Sequence, residues 1–154
     1  MVRFVKGWPG YLLAASGLEG VDVIGFELTV QRPQEGIVQV SLHGSLDLAY
    51  AYRFDSAIRP LEREASRALV LDLRELDFLD SAGLARFVSA RRRARRANRT
   101  LVLVRGSRTI QRLFSLVALE EHFVFVADPC EVHSASPAAA SRSHAGVRLG
   151  SSAG

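Results

Sequence analysis

The chain has very few of several residue types, and each shortage excludes a class of protein. Only one of its 154 residues is a cysteine, which excludes an internal disulfide and a thiolate-rich metal site. Its four histidines do not have the spacing to a second histidine, cysteine or carboxylate that metal sites use. The apolar runs are too short to span a bilayer, and the apolar stretch near the N-terminus is short for a signal peptide. We therefore expect a cytoplasmic protein with no membrane contact.

The motifs of common enzyme classes are also missing. No glycine-rich loop of the kind that cradles phosphates follows any apolar run. Ser81 does not lie in the nucleophile elbow of hydrolases, because Leu79 stands where the first glycine of that motif would be. We therefore predict that the protein is not an enzyme and needs no cofactor.

Lysine is nearly absent, and the basic residues are arginines that cluster along the chain. Ten arginines and no acidic residue lie between Ser81 and Leu119, whereas eight acidic residues lie between Ser45 and Asp80. One part of the surface should therefore be positive and another mildly negative.

The arginine run suggests two interpretations, one of which is contact with nucleic-acid phosphates. Against it, no aromatic residue alternates with the arginines to stack on bases. The apolar spacing also gives this helix an inward face that would cover a sheet. We therefore interpret the run as a solvated face, or as a surface for an acidic partner, and expect no direct nucleic-acid binding. The arginines of the run are Arg91, Arg92, Arg93, Arg95, Arg96 and Arg99.

The hydrophobic pattern predicts an α/β domain. Alternation over residues 26–30 and 37–42 predicts an antiparallel β-hairpin with a turn at 32–36. Strands and helices should then alternate, which predicts a mixed, mostly parallel sheet with helices packed on it. The later strands are predicted at 68–73, 100–104 and 123–126, and the helices after Asp47, over 82–98 and over 107–116.

Details of packing and of the chain ends also follow from this pattern. Phe78 and Leu79 should return to the core after a polar turn. Pro60 should kink or split the first helix, or begin a second short one. The predicted inward face of the first helix contains Leu48, Ala51, Tyr52 and Ile58. Residues 1–24 form an extension, residues 25–127 the domain, and residues 128–154 a tail predicted to be disordered from its composition.

The candidate site lies where the central strand leads into the second helix. Asp80 and Ser81 precede the helical pattern, and either side chain can accept hydrogen bonds from the free N–H groups of a first helical turn. In open α/β sheets this edge is where ligands and partners usually bind. Taken by itself, Ser81 is therefore a capping residue or a functional hydroxyl.

Three segments, in this order and spacing, resemble the STAS family of domains. Asp80-Ser81-Ala82-Gly83-Leu84 is similar to the family's central motif, and Gly44-Ser45-Leu46-Asp47 to its Gly-x-Leu-Asp. Residues 110–114 are similar to its third helix. The resemblance extends over roughly residues 26–126 and implies the STAS fold.

The best-known bacterial members are anti-sigma factor antagonists, so the resemblance implies a function. In those proteins the serine after the aspartate is phosphorylated by an anti-sigma factor that is also a serine kinase, and a serine phosphatase reverses the reaction. Ser81 holds that position here. The unphosphorylated protein would bind the anti-sigma factor and free the sigma factor. The resemblance places eight further residues at the partner-binding edge: Gly44, Ser45, Leu46, Asp47, Asp80, Ala82, Gly83 and Leu84.

Several alternatives stay open at this point. Asp47 caps the first helix or contacts a partner, and Asp80 caps the second helix, contacts a partner or presents Ser81 to a kinase. Gly83 would leave room for another backbone to come close. The whole protein could instead be a STAS scaffold or lipid-transport accessory subunit without a phosphorylation switch, or a nucleic-acid-binding module that uses the arginine run.

Overall fold

The structure is a computed structural model that describes residues 25–134, so the predicted extension and residues 135–154 of the predicted tail lie outside the described residues. The strands are β1 Phe26–Gln34, β2 Ile37–Leu46, β3 Ala68–Asp72, β4 Leu76–Leu79, β5 Thr100–Val104 and β6 Val124–Val126. The helices are α1 Leu48–Glu64, α2 Ser81–Arg96, α3 Arg108–Leu116 and α4 Cys130–Ser134, with a 3-10 turn at Glu120–His122.

The six strands form one sheet in the order β1-β2-β3-β5-β6, and β4 pairs with the end of β2. Strands β1 and β2 pair antiparallel, and the other strand pairs among residues 25–134 are parallel. This arrangement confirms the predicted mixed, mostly parallel α/β sheet. The carboxyl ends of β2 and β4, which lead into α1 and α2, consequently meet at one edge.

The two faces of the sheet are covered differently. The larger core contains Phe54 of α1, Phe87 of α2 and Phe114 of α3, so these three helices pack on one face. The smaller core on the other side is made of aliphatic side chains such as Val70 and Val102, against which Val132 of α4 packs. Helix α4 therefore lies against the sheet side that the three longer helices leave uncovered.

Strand β4 was missed by the sequence pattern, and the predicted burial of Phe78 is wrong. The register of β4 on β2 shifts between Gly44 and Ser45, so that Gly44 pairs with Leu76 and Ser45 with Phe78. This irregularity leaves Asp77 and Phe78 both exposed between the buried Leu76 and Leu79. Leu79 is buried as predicted, whereas 52% of Phe78 is accessible to solvent.

The inward face of α1 was predicted only in part. Ala51 and Ile58 are buried, together with Phe54 and Leu61, which repeat at the three- and four-residue spacing of a helix. Leu48 and Tyr52 are exposed instead. Pro60 neither splits the helix nor begins a new one, because α1 continues through it to Glu64. Its neighbours Ile58 and Leu61 are packed in the core, which holds the last turn in place.

Helix α4 falls within the segment from Asp128 for which the composition predicted disorder, and side-chain hydrogen bonds mark its start. Asp128 Oδ1 accepts a hydrogen bond from Cys130 N at 2.8 Å, and Glu131 Oε1 accepts from Asp128 N at 3.0 Å. Asp128 and Glu131 thus cap the start of α4 reciprocally, in the manner of a capping box, and Pro129 directly precedes the helix. The spacing of Asp128 and Glu131 is a helix-start signal, which the sequence analysis missed because the surrounding composition is typical of disorder.

Candidate partner-binding site

The site is built from two similar strand-to-helix junctions. Leu46 ends β2 and Leu79 ends β4, and the two residues pair in register. Each is followed by an aspartate with an extended backbone, and a helix begins at the next residue. Asp47 Oδ1 accepts hydrogen bonds from Ala49 N at 2.9 Å and from Tyr50 N at 3.3 Å, so Asp47 caps α1 as expected.

Asp80 caps α2 and also ties it to α1. Its Oδ1 accepts from Gly83 N at 2.8 Å, while its Oδ2 accepts from Leu48 N at 3.1 Å. Free N–H groups at both helix starts are therefore satisfied by one carboxylate. Asp80, rather than Ser81, is the capping residue, and Ser81 is the first residue of the helix with an exposed side chain.

Close packing beneath this junction requires Gly83. A Cβ atom at this position would lie 2.4 Å from the Leu46 carbonyl oxygen and 2.7 Å from Leu79 Cδ1. The backbone that comes close to Gly83 therefore belongs to the end of β2 in the same chain. Gly44 has φ +81°, and a Cβ there would lie 2.0 Å from the Gly25 carbonyl oxygen. Both glycines consequently set the geometry of the edge.

The predicted site residues are brought to one edge, but they are not equally accessible. Ser81 is exposed, and Gly44, Ser45, Asp47, Asp80 and Ala82 are half-buried. Leu46, Gly83 and Leu84 are buried in the packing between the strand ends and the helices. These three residues support the site from below and are not part of its surface.

Sequence reasoning missed an apolar surface beside Ser81. Leu48 and Tyr52 lie one turn apart on α1 and are 77% and 80% exposed. We call them the Leu48–Tyr52 patch. The backbone N–H of Leu48 bonds to Asp80, so the patch starts next to the residue that precedes Ser81. The spacing of Ala51, Phe54, Ile58 and Leu61 was the available signal, because it leaves Tyr52 off the buried stripe.

Ion pairs fix α1 against α2 below the two helix starts. Arg86 Nη1 lies 2.8 Å from Asp55 Oδ2, and Arg93 pairs with both oxygens of Glu62 through Nε and Nη2. Asp55 and Glu62 are buried. The hydrogen bonds that Arg93 donates to Glu62, opposed by burial, raise the pKa of Arg93 above its ordinary value. Arg93 was placed on the solvated face by the sequence interpretation; the structure instead turns it toward α1.

Within residues 25–134 no group of three or more His, Cys, Asp or Glu side chains lies close enough together to hold a metal ion. Over the same residues no helix combines the length and the apolar character needed to cross a membrane.

Known proteins resemble this chain in sequence and in fold. An anti-sigma-B factor antagonist of Staphylococcus aureus (strain NCTC 8325 / PS 47) is 24% identical over 88 residues, which cover 57% of this chain and 82% of that protein. A crystal structure of an anti-sigma factor antagonist from Mycobacterium paratuberculosis superposes with a TM-score of 0.61 at 21% identity, covering 78% of this chain and 97% of that one. The Bacillus cell fate determinant SpoIIAA in its phosphorylated form superposes with a TM-score of 0.55 at 18% identity, covering 69% and 96%.

The strongest of these comparisons is with a family model. The model of the STAS domain matches residues 29–134. This range contains all six strands except the first three residues of β1, the four helices and the Asp80–Leu84 motif. The fold, the paired strand-to-helix junctions and this match agree, and the chain belongs to the STAS domain family.

Proposed function

We propose that this protein is an anti-sigma factor antagonist whose binding to an anti-sigma factor is switched off by phosphorylation of Ser81. The observation that carries the proposal is the exposed Ser81 hydroxyl at the first residue of α2, on the edge where β2 and β4 end. In support, the proteins similar in sequence and fold include anti-sigma factor antagonists, and one fold neighbour has been solved in a phosphorylated form.

The local physics suits a phosphorylation switch. Asp80 carries the capping bond of α2, so the Ser81 hydroxyl is not needed to hold the helix. A phosphate there would add nearly two negative charges and three acceptor oxygens near a helix N-terminus, which tolerates anions. The domain can therefore stay folded after modification while the sign of its surface changes.

The surroundings of Ser81 suit a protein partner. Large exposed apolar side chains mark interaction surfaces, and the Leu48–Tyr52 patch lies beside Ser81. A tyrosine at the centre of such a surface can contribute much of the binding free energy. A partner that covers both the patch and Ser81 would have to desolvate a new phosphate, which lowers its affinity.

The test uses the anti-sigma factor kinase that is pulled down with the protein. Wild type, Ser81→Ala and Ser81→Asp are titrated against this kinase, and the phosphorylated residue is mapped by mass spectrometry. Ser81→Ala should bind like wild type and resist phosphorylation. Ser81→Asp should bind at least about a hundredfold more weakly, because an unpaired charge at a packed interface costs several kcal/mol and each tenfold in affinity is about 1.4 kcal/mol. A serine phosphatase should restore binding of the phosphorylated wild type.

Ser66→Asp is the matched control, because Ser66 is exposed and lies between α1 and β3, away from the carboxyl ends of β2 and β4. It should leave the affinity unchanged. Equal affinity of all the variants, or phosphate on a residue other than Ser81, would contradict the proposed switch. The protein would then be a STAS protein whose binding is not controlled by phosphorylation of Ser81.

A further inference from the structure

A second surface lies at the opposite end of the sheet from Ser81. Helix α2 runs away from the Ser81 edge and ends at Arg96, and the chain then enters β5 at Thr100. Between the end of α2 and the starts of β5 and β6 there is a pocket of about 280 Å³. Its charged and titratable lining residues are Arg91, Arg95, Arg99 and His122.

The three arginines of this pocket have no carboxylate partner within residues 25–134. The ion pairs of the arginine-rich region there use Arg86, Arg93 and Arg105 instead. The lining contains no acidic residue. Of the two acidic residues that precede His122, Glu120 is bound to Arg105 and Ser115, and Glu121 forms no ion pair with the three arginines. Positive charge therefore exceeds negative charge in the lining of the pocket, which favours an anion.

The packing of Arg91 holds one of the three charges in place. Its guanidinium carbon lies 5.9 Å from the centre of the Phe123 ring, and Arg95 is its neighbour one turn along α2. Burial, and secondarily repulsion by Arg95, lowers the pKa of Arg91. Cations at the end of a helix are ordinary, but the helix dipole supplies only about half an elementary charge there, which does not balance three arginines.

The size and the lining of the pocket limit the ligands that it can bind. Ala94, Leu101 and Val124 provide apolar lining next to the arginines. The volume lies near the lower limit of about 300 Å³ for small-molecule sites. Phe123 is buried beneath Arg91, so it offers no exposed ring on which a base of a nucleic-acid strand could stack.

We propose that this pocket binds the phosphate monoester of a small organic molecule. Arginine forks match phosphate oxygens in pairs, and several arginines together suit a dianion better than a single carboxylate. The apolar lining would contact the organic part of the ligand. The site uses no residue of the Ser81 edge, so it is independent of the proposed phosphorylation switch.

The experiment is an amide NMR titration of the full chain with ribose 5-phosphate, AMP, inorganic phosphate and ribose as probes. Both monoesters should shift signals of residues 91–101 and 122–124, with a dissociation constant of about 1 mM or lower. Ribose should not bind, and weaker binding of inorganic phosphate would show that the organic part contributes. Binding of inorganic phosphate as tightly as either monoester, or no shifts at roughly 10 mM probe, would overturn the proposal.

Variants that remove the same net charge distinguish a specific binding site from nonspecific electrostatic attraction. Arg91→Gln/Arg95→Gln should weaken binding of ribose 5-phosphate at least about tenfold, equivalent to about 1.4 kcal/mol. Arg92→Gln/Arg96→Gln removes the same charge from exposed positions that do not line the pocket, and should change the affinity less than about twofold. Arg95→Gln alone keeps the contact of Arg91 with Phe123 and is the variant to use if the first pair unfolds.

Two outcomes would replace this proposal with another. Equal weakening by both double variants would mean that net charge alone attracts the probe. Tighter binding of a short single-stranded RNA than of ribose 5-phosphate, with shifts along the exposed face of α2, would indicate a nucleic-acid surface, contrary to our expectation from the sequence.

Discussion

Asp80 uses its two carboxylate oxygens at two helix starts, and this makes it the residue on which the candidate site depends most. One oxygen caps α2 at Gly83 N and the other holds Leu48 N of α1. The neighbouring Ser81 side chain is exposed and does not cap the helix. At the residue scale, position 80 therefore maintains the geometry, and position 81 is exposed at the place where we propose phosphorylation.

Substitutions at these two positions should have different effects on stability. Asp80→Ala removes a cap worth about 1 kcal/mol and a second hydrogen bond of similar worth, so we expect the free energy of unfolding to fall by about 1–3 kcal/mol. Ser81→Ala should stay within about 0.5 kcal/mol of wild type. Urea denaturation of the two variants measures this, and a loss for Ser81→Ala as large as that for Asp80→Ala would mean that the hydroxyl is the cap.

At the scale of elements, the contact between α1 and α2 combines an apolar core with ion pairs. Phe54 and Phe87 pack edge to face with ring centres 5.4 Å apart. Beside them, Arg93 binds Glu62 and lies 3.6 Å from Asp55 Oδ1. The two helices that carry the halves of the candidate site are therefore fixed relative to each other.

Breaking the Arg93–Glu62 pair should destabilise the protein more than its charge alone suggests. Arg93→Gln leaves the buried Glu62 carboxylate without its partner, and we expect a loss of at least about 2 kcal/mol in the free energy of unfolding. Arg92→Gln, on the exposed side of the same helix, should cost less than about 0.5 kcal/mol.

Adding Glu62→Gln to Arg93→Gln should recover part of that loss, because no buried charge is then left unpaired, and the double-mutant cycle measures the coupling. A loss for Arg93→Gln no larger than that for Arg92→Gln would show that the pair behaves as a surface ion pair.

On the scale of the whole molecule, the sheet is covered by three helices on one side and by the short α4 on the other. Because α4 covers one face of the sheet, the position of the C-terminal domain boundary should affect the stability of the protein. The sequence pattern ended the domain at residue 127, whereas the family match and α4 extend it to residue 134.

Two truncated chains test where the domain ends. We expect residues 25–134 to unfold cooperatively near the midpoint of the full-length protein, because both faces of the sheet keep their cover. Residues 25–127 lack Val132 and the rest of α4, and should be less stable by about 1 kcal/mol for the half-buried valine. Thermal unfolding followed by circular dichroism compares them. Equal midpoints would show that α4 is dispensable, and a large loss for 25–134 would show that the flanking residues stabilise the domain.

The sequence alone determined those features that depend on neighbours along the chain. The apolar runs placed β3 and β5, Asp47 was a candidate cap of the first helix, and alternation of strands with helices implied parallel pairing. Local hydrogen bonds and side-chain periodicity are sufficient for such predictions. The order Asp80-Ser81-Ala82-Gly83-Leu84 likewise placed the candidate site at a strand-to-helix junction.

Only the tertiary structure decided the features that join distant parts of the chain. The irregular pairing of β4 on β2 exposes Phe78, and the packing of α1 leaves Tyr52 in solvent. Arg93 meets Glu62 across 31 residues, so its position in an arginine run could not reveal its partner. The pocket of Arg91, Arg95, Arg99 and His122 exists because the 3-10 turn comes back to the end of α2. In each case packing between distant segments selects one of several faces that the local pattern allows.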